Sequence, residues 1–237
     1  MDMLNAHNAL LRGLNSIYLQ APHIPTSSTA SFLTYTSAWL SWLTHHHHVE
    51  ETYLFPAIER LSRSAFAGSE AEFDEANWRA ARVGVMDELE KQHHAFVPGL
   101  GAMEAWVAAC REGRERYDGV VLRGIIEEFA EVMRAHLVDE VVELDKLGGL
   151  DERGFRREYL VMEEAMREGD KSMIWPIVMR TSDKTFEGGN PFPPVPAPLR
   201  WLIHHYFERK YKGAWVFSPC DTWSRPRDLP FAPEGGI

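Results

Sequence analysis

The sequence predicts an all-α protein. It should form an antiparallel, up-down-up-down four-helix bundle over residues 1–150, with a helical and irregular C-terminal extension over 151–237 packed on it. Three observations predict this. Apolar residues recur at three- and four-residue steps through four long segments, the spacing that gathers side chains on one helix face. Proline and glycine punctuate those segments. Two of the segments carry a histidine and a carboxylate four residues apart, His46 with Glu50 and His136 with Glu140, so each pair shares a face one turn apart.

The first helix covers residues 2–20. His7, Leu11, Leu14 and Tyr18 share one face, and Ala21-Pro22 stops the helix because proline has no N–H to continue it. The linker from Pro22 to Thr29 is rich in Pro, Ser and Thr, and its last hydroxyls suit a helix cap. Residues 30–63 form the second helix. Trp39, Leu43, His46, Glu50 and Tyr53 make one stripe; Leu40, Leu43, His47, Glu51, Leu54 and Ile58 make its neighbour. Pro56 should kink this helix, and Ala67-Gly68-Ser69 ends it.

Residues 70–113 read as a short acidic helix leading into a longer one. Leu89, His93, Phe96 and Leu100 face inward, whereas the stripe through His94 is polar or small, which turns His94 sideways. Pro98, with Gly99 and Gly101, should bend the helix. The fourth long helix covers 117–147, with Phe129, Met133, His136, Glu140 and Leu144 inward and Gly148-Gly149 as its stop. Residues 151–169 suggest a shorter amphipathic helix. Gly188 to Pro198 should be extended with polyproline character, and residues 199–211 should be helical again. The tail through Trp215, Phe217, Trp223 and Phe231 should be irregular but ordered, because so many aromatics must be covered.

Composition narrows the partners. The 237 residues are 45% hydrophobic and 25% charged, ordinary for a globular chain. A net charge of −10 argues against a general nucleic-acid partner, which needs clustered Lys and Arg. Cys110 and Cys220 lie far apart, so no disulfide framework is implied and a cytoplasmic, reducing location fits. The N-terminus lacks the basic flank and apolar core of a signal peptide. No apolar run approaches the roughly 18 residues of a membrane span.

The polar residues on the inward stripes point to a metal site. Counted along the helices from the turns, His7, His46, Glu50, His93, His136 and Glu140 fall within roughly one turn, about 5.4 Å, of a common level. Ionised carboxylates in an apolar interior persist only when paired or metal-bound. Four imidazoles and two carboxylates suit two divalent first-row ions, the carboxylates bridging and the imidazoles closing each end. That donor set favours iron or manganese over thiolate-bound zinc. No His-Glu-x-x-His occurs, so zinc peptidase chemistry has no support. Four consecutive histidines, His45 to His48, cannot all point inward. Periodicity does not separate the His46/Glu50 pair from His47/Glu51.

These residues resemble the hemerythrin-like, or HHE cation-binding, family. The match lies in His7, in His46…Glu50 leading into Leu54-Phe55-Pro56, in His93 with Phe96 three residues on, and in His136…Glu140. It covers roughly residues 1–150. The resemblance implies a four-helix bundle with a non-heme diiron centre and dioxygen chemistry, and its Leu-Phe-Pro register favours His46 and Glu50 over His47 and Glu51. Oxygen-carrying members have a further histidine one turn before His93, where this chain has Leu89. That departure argues against reversible oxygen carriage and leaves one metal more exposed.

The expected cofactor is therefore two iron ions, with manganese the alternative. The expected activity is that of a dioxygen-activating oxidoreductase, an oxidase or oxygenase acting on a small organic substrate with an unidentified electron donor. The aromatic extension favours an enzyme, because a carrier needs no organic-substrate pocket. The competing expectation is a non-catalytic protein that binds or senses oxygen or iron. His47, Glu51, Tyr53, Leu89 and His94 are the candidates to surround and tune the ligands. His204 and His205 read as structural.

Overall fold

The computed structural model describes residues 2–67, 84–145, 160, 169–190 and 192–233. It is all-α, with no strand among the described residues. Helix α1 spans Asp2–Gln20 and passes into a 3-10 turn at Ala21–His23 that carries Pro22. Helix α2 spans Thr29–Val49. The kink expected at Pro56 takes the form of a widened turn. Residues Glu50–Leu54 are π-helical, and the Phe55 N–H reaches back five residues to the Glu50 carbonyl. Pro56 accounts for the widening. It has no N–H to donate, and its ring crowds the carbonyl four residues back, which a wider turn moves aside. Helix α3, Phe55–Ala67, follows directly.

Helix α4, Gly84–Arg111, runs through Pro98. Helix α5, Gly119–Glu127, starts at Asp118, whose carboxylate accepts from the Val120 and Val121 N–H groups. Helix α6 spans Ala130–Asp145. The single helix expected over 117–147 is thus two helices. At the break, the Phe129 N–H turns back three residues to Ile126. The break seats Phe129 against α4: a Cβ at Gly99 would stand 2.6 Å from the Phe129 Cβ. Helices α7, Lys171–Thr181, and α8, Ala197–His205, belong to the extension. The helix expected over 199–211 is α8, which starts earlier and gives way to a 3-10 turn at Phe207–Arg209. The short acidic helix before α4 and most of the one expected over 151–169 lie outside the described residues. No helix among the described residues is long and apolar enough to cross a membrane.

The chain divides into two compact units. The first holds residues 1–43, 98–130 and 169–237. Its core takes Leu10 and Ile17 from α1, Phe32, Trp39 and Trp42 from α2, Met103 from α4 and Leu122 and Ile126 from α5. Two polar pairs in this core are matched. The Trp39 indole donates to the Leu10 carbonyl at 2.9 Å, and the Ser16 and Tyr35 hydroxyls meet at 2.7 Å. Gly119 permits a close approach, since a Cβ there would fall 1.9 Å from the Ala21 carbonyl oxygen.

Residues 169–237 of the extension are part of this unit. Phe217 packs edge-on against Phe32 with centroids 5.1 Å apart, and the Gln20 amide donates to the Phe217 carbonyl at 2.8 Å. Arg12 meets Asp183 at 3.0 Å. Inside the extension Arg180 forks onto Glu208 at 2.8 and 2.7 Å, and the Thr222 hydroxyl donates to the same carboxylate. Trp215 and Phe217 are covered, whereas Trp201 and Tyr206 are exposed.

The second unit holds residues 44–97 and 131–168. Its apolar interior takes Leu54, Phe55 and Ile58 from the π turn and α3, Leu89 and Phe96 from α4, and Met133 and Leu137 from α6. His46, His47, Glu50, His93, His136 and Glu140 share that interior, none more than 6% exposed.

Candidate metal centre

Adjacent helix positions differ by about 100° in direction, so neighbours rarely point the same way. His46 and His47 are nonetheless both buried, as are Val49 and Glu50, because the end of α2 is enclosed over a wide arc. His45 is half-buried and His48 is exposed. Inward residues on α4 and α6 complete the cluster.

The donor atoms converge. His46 Nε2 lies 2.8 Å from Glu50 Oε1, and the other oxygen of that carboxylate lies 3.8 Å from His93 Nε2. His93 Nε2 and His136 Nε2 are 2.8 Å apart. His136 Nε2 is 3.7 Å from Glu140 Oε2. His47 packs its ring against those of His93 and His136, with centroids 4.4 and 5.7 Å away. The ligand nitrogens of His47, His93 and His136 all lie within 4.8 Å of one another.

Outer partners orient the rings. His93 Nδ1 is 2.7 Å from Glu51 Oε1. A carboxylate oxygen accepts, so Nδ1 donates to it and Nε2 faces inward. His136 Nδ1 is 3.1 Å from Gln92 Oε1. The Gln92 amide nitrogen donates to Asp139 Oδ2 at 3.3 Å, which identifies Oε1 as the acceptor. His136 Nδ1 thus donates to Gln92, and its Nε2 also faces inward. The two Nε2 atoms meet at 2.8 Å, close enough for one proton or one metal cation to lie between them. Two imidazoles bound side by side to one ion, each about 2.1 Å from it, stand roughly 3 Å apart.

The surroundings are apolar. Phe55 stacks on His93 with centroids 5.7 Å apart, and Phe96 packs against His47, His93 and His136. Leu89 is 2% exposed. Excluding water strengthens the attraction between a cation and these donors. Burial holds the His47 imidazole well below the usual histidine range. The Glu50 carboxylate opposes that shift, and the His46, His93 and His136 rings add to it. His47 is thus neutral, the form in which an imidazole binds metal. The donor set fits divalent cations: imidazoles around two wholly buried carboxylates.

The remaining sequence-predicted residues are placed as follows. His7 is buried on α1, in the first unit. Glu51 is half-buried and holds His93. Tyr53 is 37% exposed, and His94 is exposed. His204 bonds to Glu208 and Thr222, and His205 packs on Trp201. Gln92 escaped the sequence reading. A half-buried glutamine carries no periodic signal, and its role arises from a histidine 44 residues away.

Residues 2–141 match the family model of the hemerythrin HHE cation binding domain. Among curated proteins, the dimeric xanthone biosynthesis cluster protein R11 of Cryptosporiopsis sp. (strain 8999) is 29% identical over 235 residues. That alignment covers 98% of this chain and 82% of the relative. No solved structure matches the chain.

Proposed function

The chain belongs to the hemerythrin HHE cation-binding family, and from that premise we propose that it is a diiron oxidoreductase. In this reading it activates dioxygen to oxidise a small organic molecule. The observation that carries the reading is the convergence of buried imidazoles with two buried carboxylates: His93 and His136 Nε2 meet at 2.8 Å, with Glu50 and Glu140 oxygens within 3.8 Å of them.

The proposed ligands are His7, His46, Glu50, His93, His136 and Glu140. Glu50 would hold metal together with His46 on α2 and His93 on α4, whose nitrogens its two oxygens address. Glu140 offers the second carboxylate beside His136. When bound, iron supplies the electrons and Lewis acidity that dioxygen chemistry requires. The protein holds the ligands in place. Glu51 and Gln92 keep the Nδ1 protons of His93 and His136 pointing outward, so that Nε2 stays available. Phe55, Phe96 and Leu89 exclude bulk water from the donors.

An enzyme is favoured over a carrier because the similar curated protein is named for a biosynthetic cluster. An aromatic molecule is the first substrate class to test, with an external electron donor. The free thiols of Cys110 and Cys220 are consistent with a cytoplasmic location. The test is oxygen uptake by the iron-loaded protein with a reductant and candidate aromatic substrates. Uptake beyond one equivalent per centre, with an oxidised product, is expected. A stable, reversible oxygen adduct with no product would favour a carrier instead.

A further inference from the structure

We infer that His47 is a metal ligand, supplying from α2 an imidazole that Leu89 does not supply from α4. This rests on the reading that the centre holds metal, and it adds to the six ligands proposed above. His47 Nε2 is buried and has no hydrogen-bond partner among the described residues. A buried imidazole nitrogen left without a partner is costly, and an apolar side chain would fill the same space without that cost. A cation removes the conflict.

The geometry is within reach of one ion. The nitrogens of His47, His93 and His136 lie within 4.8 Å of one another. Ligands on opposite sides of an ion, each about 2.1 Å from it, are about 4.2 Å apart, so movements below about 1 Å complete a three-imidazole set. The His93 and His136 rings are already oriented by Glu51 and Gln92, which leaves His47 as the ring that settles onto the ion. Five imidazoles then surround the two ions instead of four. The leucine at position 89 does not by itself leave a metal open, and fewer positions remain for dioxygen and substrate.

Two measurements test this. Iron(II) is loaded anaerobically into the wild-type chain, His47→Gln and His94→Gln, with stoichiometry read by elemental mass spectrometry and affinity by chelator competition. Wild type and His94→Gln should hold two ions. His47→Gln should keep one tightly and bind the second at least tenfold more weakly. Two ions held at wild-type affinity in His47→Gln would overturn the inference and leave the metal centre standing. A wild-type chain that binds no ion would overturn both. The second measurement needs no variant and separates a ligand from a residue that only positions others. Long-range proton–nitrogen NMR of the zinc-loaded wild-type protein should show His47 Nε2 shifting together with His93 and His136 Nε2. An unshifted His47 nitrogen beside two shifted ones would sink the idea, even if His47→Gln fails to fold.

Discussion

Glu51 and Gln92 decide which nitrogen of each imidazole the centre meets, and neither is itself a proposed ligand. Removing such a partner typically lowers metal affinity about 10–100-fold. Glu51→Ala should therefore weaken metal binding by a factor in that range, because the His93 Nδ1 proton loses its acceptor at 2.7 Å. Chelator competition measures it, and wild-type affinity in the variant would contradict the assigned role. At this scale the sequence was partly readable. The two His-x-x-x-Glu pairs stand out because their spacing matches the helical period. The choice between His46 and His47 does not, because the end of α2 buries both rings and one periodic stripe cannot describe a helix enclosed over so wide an arc. Gln92 was illegible because its partner comes from another helix.

The helices follow the local signals closely where the cause is local. Pro22 ends α1, and Asp118 and Asp170 cap α5 and α7. Where the cause lies elsewhere in the fold, the sequence says less. The break at Phe129 follows from the bare backbone of Gly99, so a continuous apolar stripe over 117–147 gave no hint of it. Pro56 announced a disturbance but not that it would widen the turn that begins at Glu50. Asp170 gives this scale a pH test. The Lys210 ammonium, helped by the Ser172 N–H and against partial burial, holds its carboxyl below the usual carboxylate range. A depressed folded value lends stability that is complete above about pH 4 and is lost as the pH falls through that lower value. Asp170→Asn retains a capping side chain but not the titration. Its stability should therefore fall less than that of the wild type between about pH 6 and about pH 3. Parallel losses in chemical denaturation at the two pH values would refute this.

Over the whole molecule, residues 169–237 of the extension are a structural part of the first unit. Its many aromatics announced that it would be ordered, but nothing in the sequence named Phe32 and Gln20 as the residues that would receive Phe217. Arg180 and Glu208 join α7 to the turns that follow, in a pair buried on both sides. Removing one partner of a buried pair costs about 3–5 kcal/mol, since the other charge stays buried alone. Glu208→Ala should lower stability by about that amount. A variant that unfolds at the wild-type urea midpoint would show that the pair does not hold the extension. The family match covers residues 2–141, and the alignment with the curated relative runs on through the extension. The central claim is that imidazoles and carboxylates inside the second unit exist to hold iron. Metal analysis of the purified wild-type chain, with absorption spectra before and after reduction and exposure to air, tests it most directly. Two irons per folded chain, with an absorption that changes on reduction, are expected. A chain that folds and stays colourless, taking up neither iron nor manganese when both are offered, would contradict it.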